Sequence, residues 1–167
     1  RQCDQHRARQ ALEHAYALYE RSGDTTGQML ASSGIIEASF LQHSNHGQVD
    51  RWLPMHGQLL VRAPLETPAD VQLRAYASML ITLLYRQPGS PMLEVCAQRV
   101  LILLDAREVP ANARMSAATF LMWYCGYMGD FRTMRRLLPI GAALARREEV
   151  TALHRANWWT WLGYCQH

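Results

Sequence analysis

Lysine is absent from this chain: all 17 basic residues are arginine. The arginines are scattered and form no block. They read as GC-rich coding bias in a bacterium and as ordinary solvated helix faces, not as a site. Charge of either sign is scarce, at 19% of residues, and the net charge is only +3, so the electrostatic footprint expected of a nucleic-acid binder is weak. Long apolar runs are missing too. The longest, Ala75–Tyr85, contains Ser78 and Thr82 and is too short to cross a bilayer, so no membrane partner is expected. The first residues, RQCDQHRARQ, are polar and lack the apolar stretch of a signal peptide. They also lack an initiator Met, and the expectation is a segment of a longer cytoplasmic protein. Cys3, Cys96, Cys125 and Cys165 form no C-x-x-C pair. Free thiols in a reducing cytosol follow, with Cys96 and Cys125 on apolar helix faces as core residues.

Strand signals are almost absent as well, since no segment alternates with period two between turn residues. What is present is helical periodicity, in a chain that is 49% apolar and long enough for one domain with a real core. A first helix is predicted from Asp4 to Ser22, with Asp4 as its cap and a stripe of Ala8, Ala11, Leu12, Ala15, Tyr16 and Tyr19. Ser22-Gly23-Asp24 ends it, and Asp24 or Thr25 caps the second, Thr26–Gln42. Gly34 and Ala38 are small enough to let a neighbouring helix come close. After a Ser44-Asn45-His46-Gly47 turn come a third helix, Val49–Arg62 with Asp50 as cap and Pro54 near its first turn, and a fourth, Ala69–Gln87. The fourth is apolar on several faces and should be central. Pro88-Gly89-Ser90-Pro91 is the clearest break. A fifth helix, Met92–Arg107, has a clean stripe from Leu93 to Leu104. The sixth spans Ala111–Met128, the seventh Phe131–Arg147 and the eighth Glu149–His167. Pro139 lies inside the seventh and predicts a kink at Arg135–Pro139.

Ser116–Pro139 organises the rest: an apolar helix, a Gly129-Asp130 turn and a second helix. Weaker copies recur. Sliding the chain by about 42 residues lays Leu59 on Leu101 and Tyr85 on Tyr127, and it lays Leu41 on Leu83 and Cys125. Three stretches carry a family resemblance. Tyr124-Cys125-Gly126-Tyr127-Met128-Gly129-Asp130 is similar to the turn between helices A and B of the tetratricopeptide repeat (TPR). Trp161-Leu162-Gly163-Tyr164 resembles a compressed W-x-x-L-G-x-x-Y pattern. Tyr19–Gly27 resembles the B-to-A link of TPR-like domains in large bacterial ATP-dependent transcriptional regulators and cyclase-associated regulators. The resemblance implies an all-α fold, a right-handed α-α superhelix (a TPR-like solenoid) of about eight antiparallel helices, in which stacked hairpins bury each other's apolar faces.

In such a stack the A helices (second, fourth, sixth, eighth) would line a concave groove. One equivalence column across them is Gln28, Asp70, Asn112 and His154; the next turn gives Ser32, Arg74, Ser116 and Trp158. Polar residues recurring in these columns suggest a ligand-facing stripe, although a solvated face gives the same pattern. Chemistry is poorly represented. His43-x-x-His46 and Cys3-x-x-His6 are zinc half-sites without second halves. There is no G-x-S-x-G, no H-E-x-x-H and no carboxylate cluster, and Gly23 and Gly27 flank a helix–helix turn. Glu148-Glu149 reads as helix-start capping. Trp158, Trp159 and Trp161 cannot all face one core, so that end could drive self-association or form an aromatic cage. The expectation is a non-enzymatic module without cofactor or metal. It would bind a protein or peptide, other domains of the same chain among the candidates, or relay a signal within a bacterial regulator, with no direct nucleic-acid contact. The alternative is a small-molecule sensor with a closed pocket near Trp123, Tyr124 and Tyr127.

Overall fold

The computed structural model describes residues 5–41 and 46–165. Cys3, Asp4, His43 and the Ser44-Asn45 turn lie outside them, and so one ligand of each candidate zinc half-site does too. Two turns set the architecture, and both read Gly-Asp. Helix α1 (Gln5–Ser22) stops at Gly23, whose φ of +71° is left-handed backbone that a glycine adopts without strain. The Asp24 N–H then donates back to the Tyr19 carbonyl at 2.9 Å, a Schellman closure. Asp24 immediately caps α2 (Thr25–Leu41), its carboxylate accepting the Gly27 N–H at 2.8 Å. The same device recurs after α6 (Ala111–Met128). Gly129 sits at φ +69°, the Asp130 N–H reaches the Cys125 carbonyl at 3.0 Å, and Asp130 caps α7 (Phe131–Ala145) through the Thr133 N–H at 3.0 Å.

Between these hairpins lie a short 3-10 turn (His46–Val49), α3 (Trp52–Arg62), α4 (Ala69–Arg86) and α5 (Met92–Leu103); α8 (Ala152–Cys165) closes the chain. Among the described residues the fold is all-helical, and no helix is long and apolar enough to cross a membrane. The even helices form a row, α2 on α4, α4 on α6 and α6 on α8. The odd helices cover it: α1 packs on α2, α3 on α2 and α4, α5 on α4 and α6, and α7 on α6 and α8. The row explains the patterning. A helix with neighbours on both flanks and a cover above must be apolar on several faces, and α4 buries Val71, Leu73, Met79, Leu80, Ile81 and Leu83 around most of its circumference. A covering helix needs one stripe, and α5 buries Leu93, Cys96, Ala97, Val100 and Leu101.

Four boundaries differ from the sequence expectation, each for a packing reason. Asp50 does not cap α3; Arg86 of α4 takes its carboxylate through Nε at 2.8 Å and Nη2 at 2.6 Å. The turn before α3 instead inserts Val49 into the core. Helix α5 stops at Leu103, short of Arg107, because consecutive tight turns drive Leu104 and Val109 into the core. Helix α7 ends at Ala145 and α8 starts only at Ala152, and between them Val150 is fully buried. Glu149 is therefore no helix start; it pairs with Arg147 at 2.8 Å. Pro139 lies within α7, which remains helical through it.

Candidate functional site

A groove of about 510 Å³ runs across the even row and takes lining residues from α2, α4, α6 and α8. Ala77, Ala113 and Ala117 contribute little bulk and so leave it open. Phe120, Trp123 and Trp161 supply its large surfaces. Its charge comes from Glu37 of α2 and Arg74 of α4, which close on each other. Arg74 Nε donates to Glu37 Oε1 at 3.0 Å and Nη2 to Oε2 at 2.6 Å, a bidentate fork. That hydrogen bonding raises the Arg74 pKa further, so the guanidinium stays charged at every accessible pH.

Rings from three even helices continue the groove as a chain of contacts. Tyr127 lies 6.2 Å from Tyr85, Tyr85 lies 5.8 Å from Trp123, Trp123 lies 3.8 Å from Trp161, and Trp161 lies 5.2 Å from Tyr164. The outer rings are open to solvent, Tyr127 at 63% and Tyr164 at 69% exposure. Burial first, and then a side-chain hydrogen bond with Tyr127, push the Tyr85 phenol up to about 12.

The sequence-derived columns are only partly brought together here. Arg74 and Ser116 line the groove. Ser32 does not. It is fully buried, and its Oγ lies 2.8 Å from His56 Nδ1 and 2.8 Å from the Gln28 carbonyl. Trp158 does not either. It is fully buried against Gly141 of α7, where a Cβ would lie 2.2 Å from the indole. Both are core residues, and the ligand-facing assignment fails for them because their side chains are buried against the covering layer, Ser32 on His56 of α3 and Trp158 on Gly141 of α7. Asn112 is half-buried and structural: its Oδ1 accepts the Thr151 N–H at 2.9 Å and its Nδ2 donates to the Glu149 carbonyl at 3.1 Å, tying α6 to the start of α8. His154 pairs locally with Thr151, Nδ1 to Oγ1 at 2.6 Å. Gln28 is half-buried and Asp70 exposed, and neither lines the groove. The proposed sensor trio is split. Trp123 is in the groove, Tyr124 lines a separate cleft between α5, α6 and α7, and Tyr127 lies at the exposed end of the ring chain. At the Trp158–Trp161 end, Trp159 is half exposed and Trp161 is half-buried on Trp123.

The columns missed Glu37, Phe120, Asn157 and Trp161 because several touching residues on neighbouring even helices are not at equivalent positions. These helices begin at Thr25, Ala69, Ala111 and Ala152, a step of about 42 residues. Several contacts along the row step less: Glu37 and Arg74 are 37 apart, and so are Asn112 and Glu149 of the turn before α8, although Tyr85 and Tyr127 touch at the full 42. Trp123 with Trp161 repeats nearly the same step from the other end of α6, so α6 and α8 run parallel. The shortfall is about one helical turn.

Two buried clusters bear on chemistry. His56 is fully buried between three helices, with Nε2 2.9 Å from the Ala75 carbonyl. A carbonyl only accepts, so Nε2 carries the proton and Nδ1 accepts from Ser32. Burial lowers the His56 pKa to about 4, against a smaller upward pull from the Ala75 carbonyl. Burial likewise pushes the Cys96 and Cys125 thiols up to about 12, so neither carries useful thiolate near neutrality. Among the described residues no three His, Cys, Asp or Glu side chains are placed to hold a metal ion. Compared with protein-family models, curated proteins and solved structures, the chain has no significant match.

Proposed function

We propose that this chain is a binding module built as a TPR-like right-handed stack of helical hairpins, and that its groove holds an extended segment of a partner protein. The observation that carries the reading is the groove's construction: four successive even helices each contribute side chains to one continuous surface. Stacked repeats produce extended surfaces of this kind, with one short stretch of ligand read by each hairpin. Its aromatic walls supply the large, rigid contact area typical of interaction hot spots, and Arg74 and Asn157 supply polar groups for orientation. Within a bacterial regulatory protein, such a module would relay occupancy of the groove to other domains.

A random peptide library displayed against the immobilised chain tests this. Selected peptides should bind in solution, and both Trp161→Ala and Arg74→Ala should weaken them by about tenfold. Enrichment of no peptide, or affinities untouched by both substitutions, rejects the reading. The groove's volume favours a second reading, since about 510 Å³ lies within the roughly 300–1,000 Å³ range of small-ligand sites. A thermal-shift screen of metabolites and nucleotides separates the two. Strong stabilisation by one compound, with no peptide selected, assigns a sensor.

A further inference from the structure

We infer that a second binding site lies in the cleft between α5, α6 and α7, and that it takes a small zwitterion, a free amino acid or a dipeptide, with apolar side chains. The site is separate from the groove and does not depend on it. Helices α5 and α7 both rest on α6, and about 540 Å³ opens between them. That volume lies within the roughly 300–1,000 Å³ range of small-ligand sites.

An unused hydroxyl points to a ligand. Tyr124 of α6 lines the cleft and is only 6% exposed, yet its hydroxyl makes no hydrogen bond to any described residue. Buried polar groups are rarely left so, because an unmade hydrogen bond is costly. Burial raises the Tyr124 pKa, and the Asp130 and Glu94 carboxylates raise it further. The hydroxyl therefore sits at an acidic end of the cleft, where its oxygen can accept a hydrogen bond from a cation.

Charge selects the ligand. Asp130 is already committed, since it caps α7 through Thr133 and has Arg132 beside it. One charge of each sign remains. Glu94 of α5 is exposed, and its one hydrogen-bond donor among the described residues is the neutral Gln98 amide at 3.2 Å. Arg136 of α7 is exposed and forms no hydrogen bond or ion pair with any described residue. Elsewhere opposite charges on different elements close on each other, as Arg74 does on Glu37 and Arg86 on Asp50. Across this cleft they stay apart. An anion alone would leave Glu94 unanswered, and a cation alone would leave Arg136. A zwitterion answers both, with its carboxylate on Arg136 and its ammonium on Glu94 and the Tyr124 hydroxyl. Ala97, Leu101 and Ile102 make the α5 wall apolar beside them, which suits an apolar side chain. Length separates the two sources. Arg136 lies about 9 Å along α7 from Asp130 at the acidic end. A single residue spans about 3.5 Å and a dipeptide about 7 Å, so the dipeptide should bind more tightly.

The test is a calorimetric titration of the chain with L-leucine and with leucyl-leucine, accompanied by NMR of the Tyr124 ring. Saturable binding in the millimolar range or tighter is expected for one or both, with the Tyr124 resonances shifting; the tighter of the two identifies the source. N-acetyl-leucyl-leucine lacks the ammonium and leucyl-leucinamide lacks the carboxylate, and each should bind about tenfold more weakly. Glu94→Gln and Arg136→Gln, both at exposed positions, should also cost about tenfold each. Tyr124→Phe keeps the ring in the core and should cost about three- to tenfold. No binding of either ligand overturns the inference, as does binding that all three substitutions leave unchanged. Equally tight binding of the acetylated peptide would mean an anion site, and of the amide a cation site; either result also rejects the zwitterion. None of these residues lines the groove, so the peptide reading stands or falls separately.

Discussion

Between pH 7 and pH 5 this protein should lose about 2 kcal/mol of stability through one side chain, His56. The imidazole is fully buried where α2, α3 and α4 meet, and its hydrogen-bond partners are the Ala75 carbonyl and the Ser32 hydroxyl, with Ser78 Oγ at 3.5 Å. None of these is an anion that could compensate an imidazolium. Burial therefore holds the folded-state pKa near 4, against an ordinary value of 6.5 in the unfolded chain. The sign follows from proton uptake. Below pH 6.5 the unfolded chain binds a proton that the folded chain refuses, so acid favours unfolding. The contribution is intact above pH 6.5, declines by about 1.4 kcal/mol for each pH unit inside the window, and levels off near pH 4 after a total of about 3 kcal/mol. Urea unfolding at pH 7 and pH 5 measures it. With a slope of roughly 2 kcal/mol per molar urea, the midpoint should fall by about 1 M. His56→Gln removes the titrating group and should flatten this dependence, even though its starting stability is lower. If the variant and the wild type lose equal stability between the two pH values, or if the His56 ring titrates near 6.5 by NMR, the account of a desolvated neutral imidazole is wrong.

Two further substitutions test the packing and the turns. Gly141→Ala places a methyl 2.2 Å from the fully buried Trp158 ring, which has no room to retreat, so overpacking should cost about 1–3 kcal/mol and lower Tm by several degrees in calorimetry; an unchanged Tm would mean that α7 and α8 do not pack there. Asp130→Ala removes the cap of α7 and should cost about 1 kcal/mol at pH 7. The Asp130 pKa lies below its ordinary 3.8, chiefly through the Thr133 hydrogen bond, so the capping contribution is present above that pH and lost as acid protonates the folded carboxylate. The gap between variant and wild type in chemical denaturation should therefore close in strong acid, and a gap independent of pH would assign the loss to something other than the charged cap.

Much of the fold was legible because it is written in local chemistry. Gly23-Asp24 and Gly129-Asp130 each encode a left-handed residue followed by a capping carboxylate, and a turn of that kind depends on nothing distant. The central position of α4 was legible for another local reason: only a helix covered on several sides can be apolar on several sides. Boundaries governed by distant partners were not legible. Asp50 has the composition of a cap, yet Arg86, 36 residues on, forms a better two-point bond with it. Glu148 and Glu149 look like a helix start, but the side chain that holds the turn before α8 is Asn112, contributed by α6. A single-sequence reading sees which groups want partners, not which of several partners arrives.

The groove shows the same limit more sharply. A repeat makes equivalent positions obvious, and a ligand-facing stripe was sought among them. Neighbouring helices, however, place equivalent residues side by side only in part: Tyr85 meets its equivalent Tyr127, but other contacts fall short of equivalence. Glu37 meets Arg74, and Trp123 meets Trp161, each about one turn short of equivalence. A column taken at strict equivalence therefore drifts around the helices as it crosses the row. It enters the groove at Arg74 and Ser116 and leaves it for the core at Ser32 and Trp158. The strict column also selects for polarity, whereas half of this groove's lining is alanine and aromatic residues, which in sequence look like core. The signal that separates them is paired aromatics recurring at the shorter contact step, Tyr85 to Trp123 to Trp161. Residues that only fill a core are free to vary in that register, because a core accepts any sequence of suitable volume. Rings that keep the contact step over three helices instead form one continuous strip, and that is the physical basis on which a binding surface is proposed here.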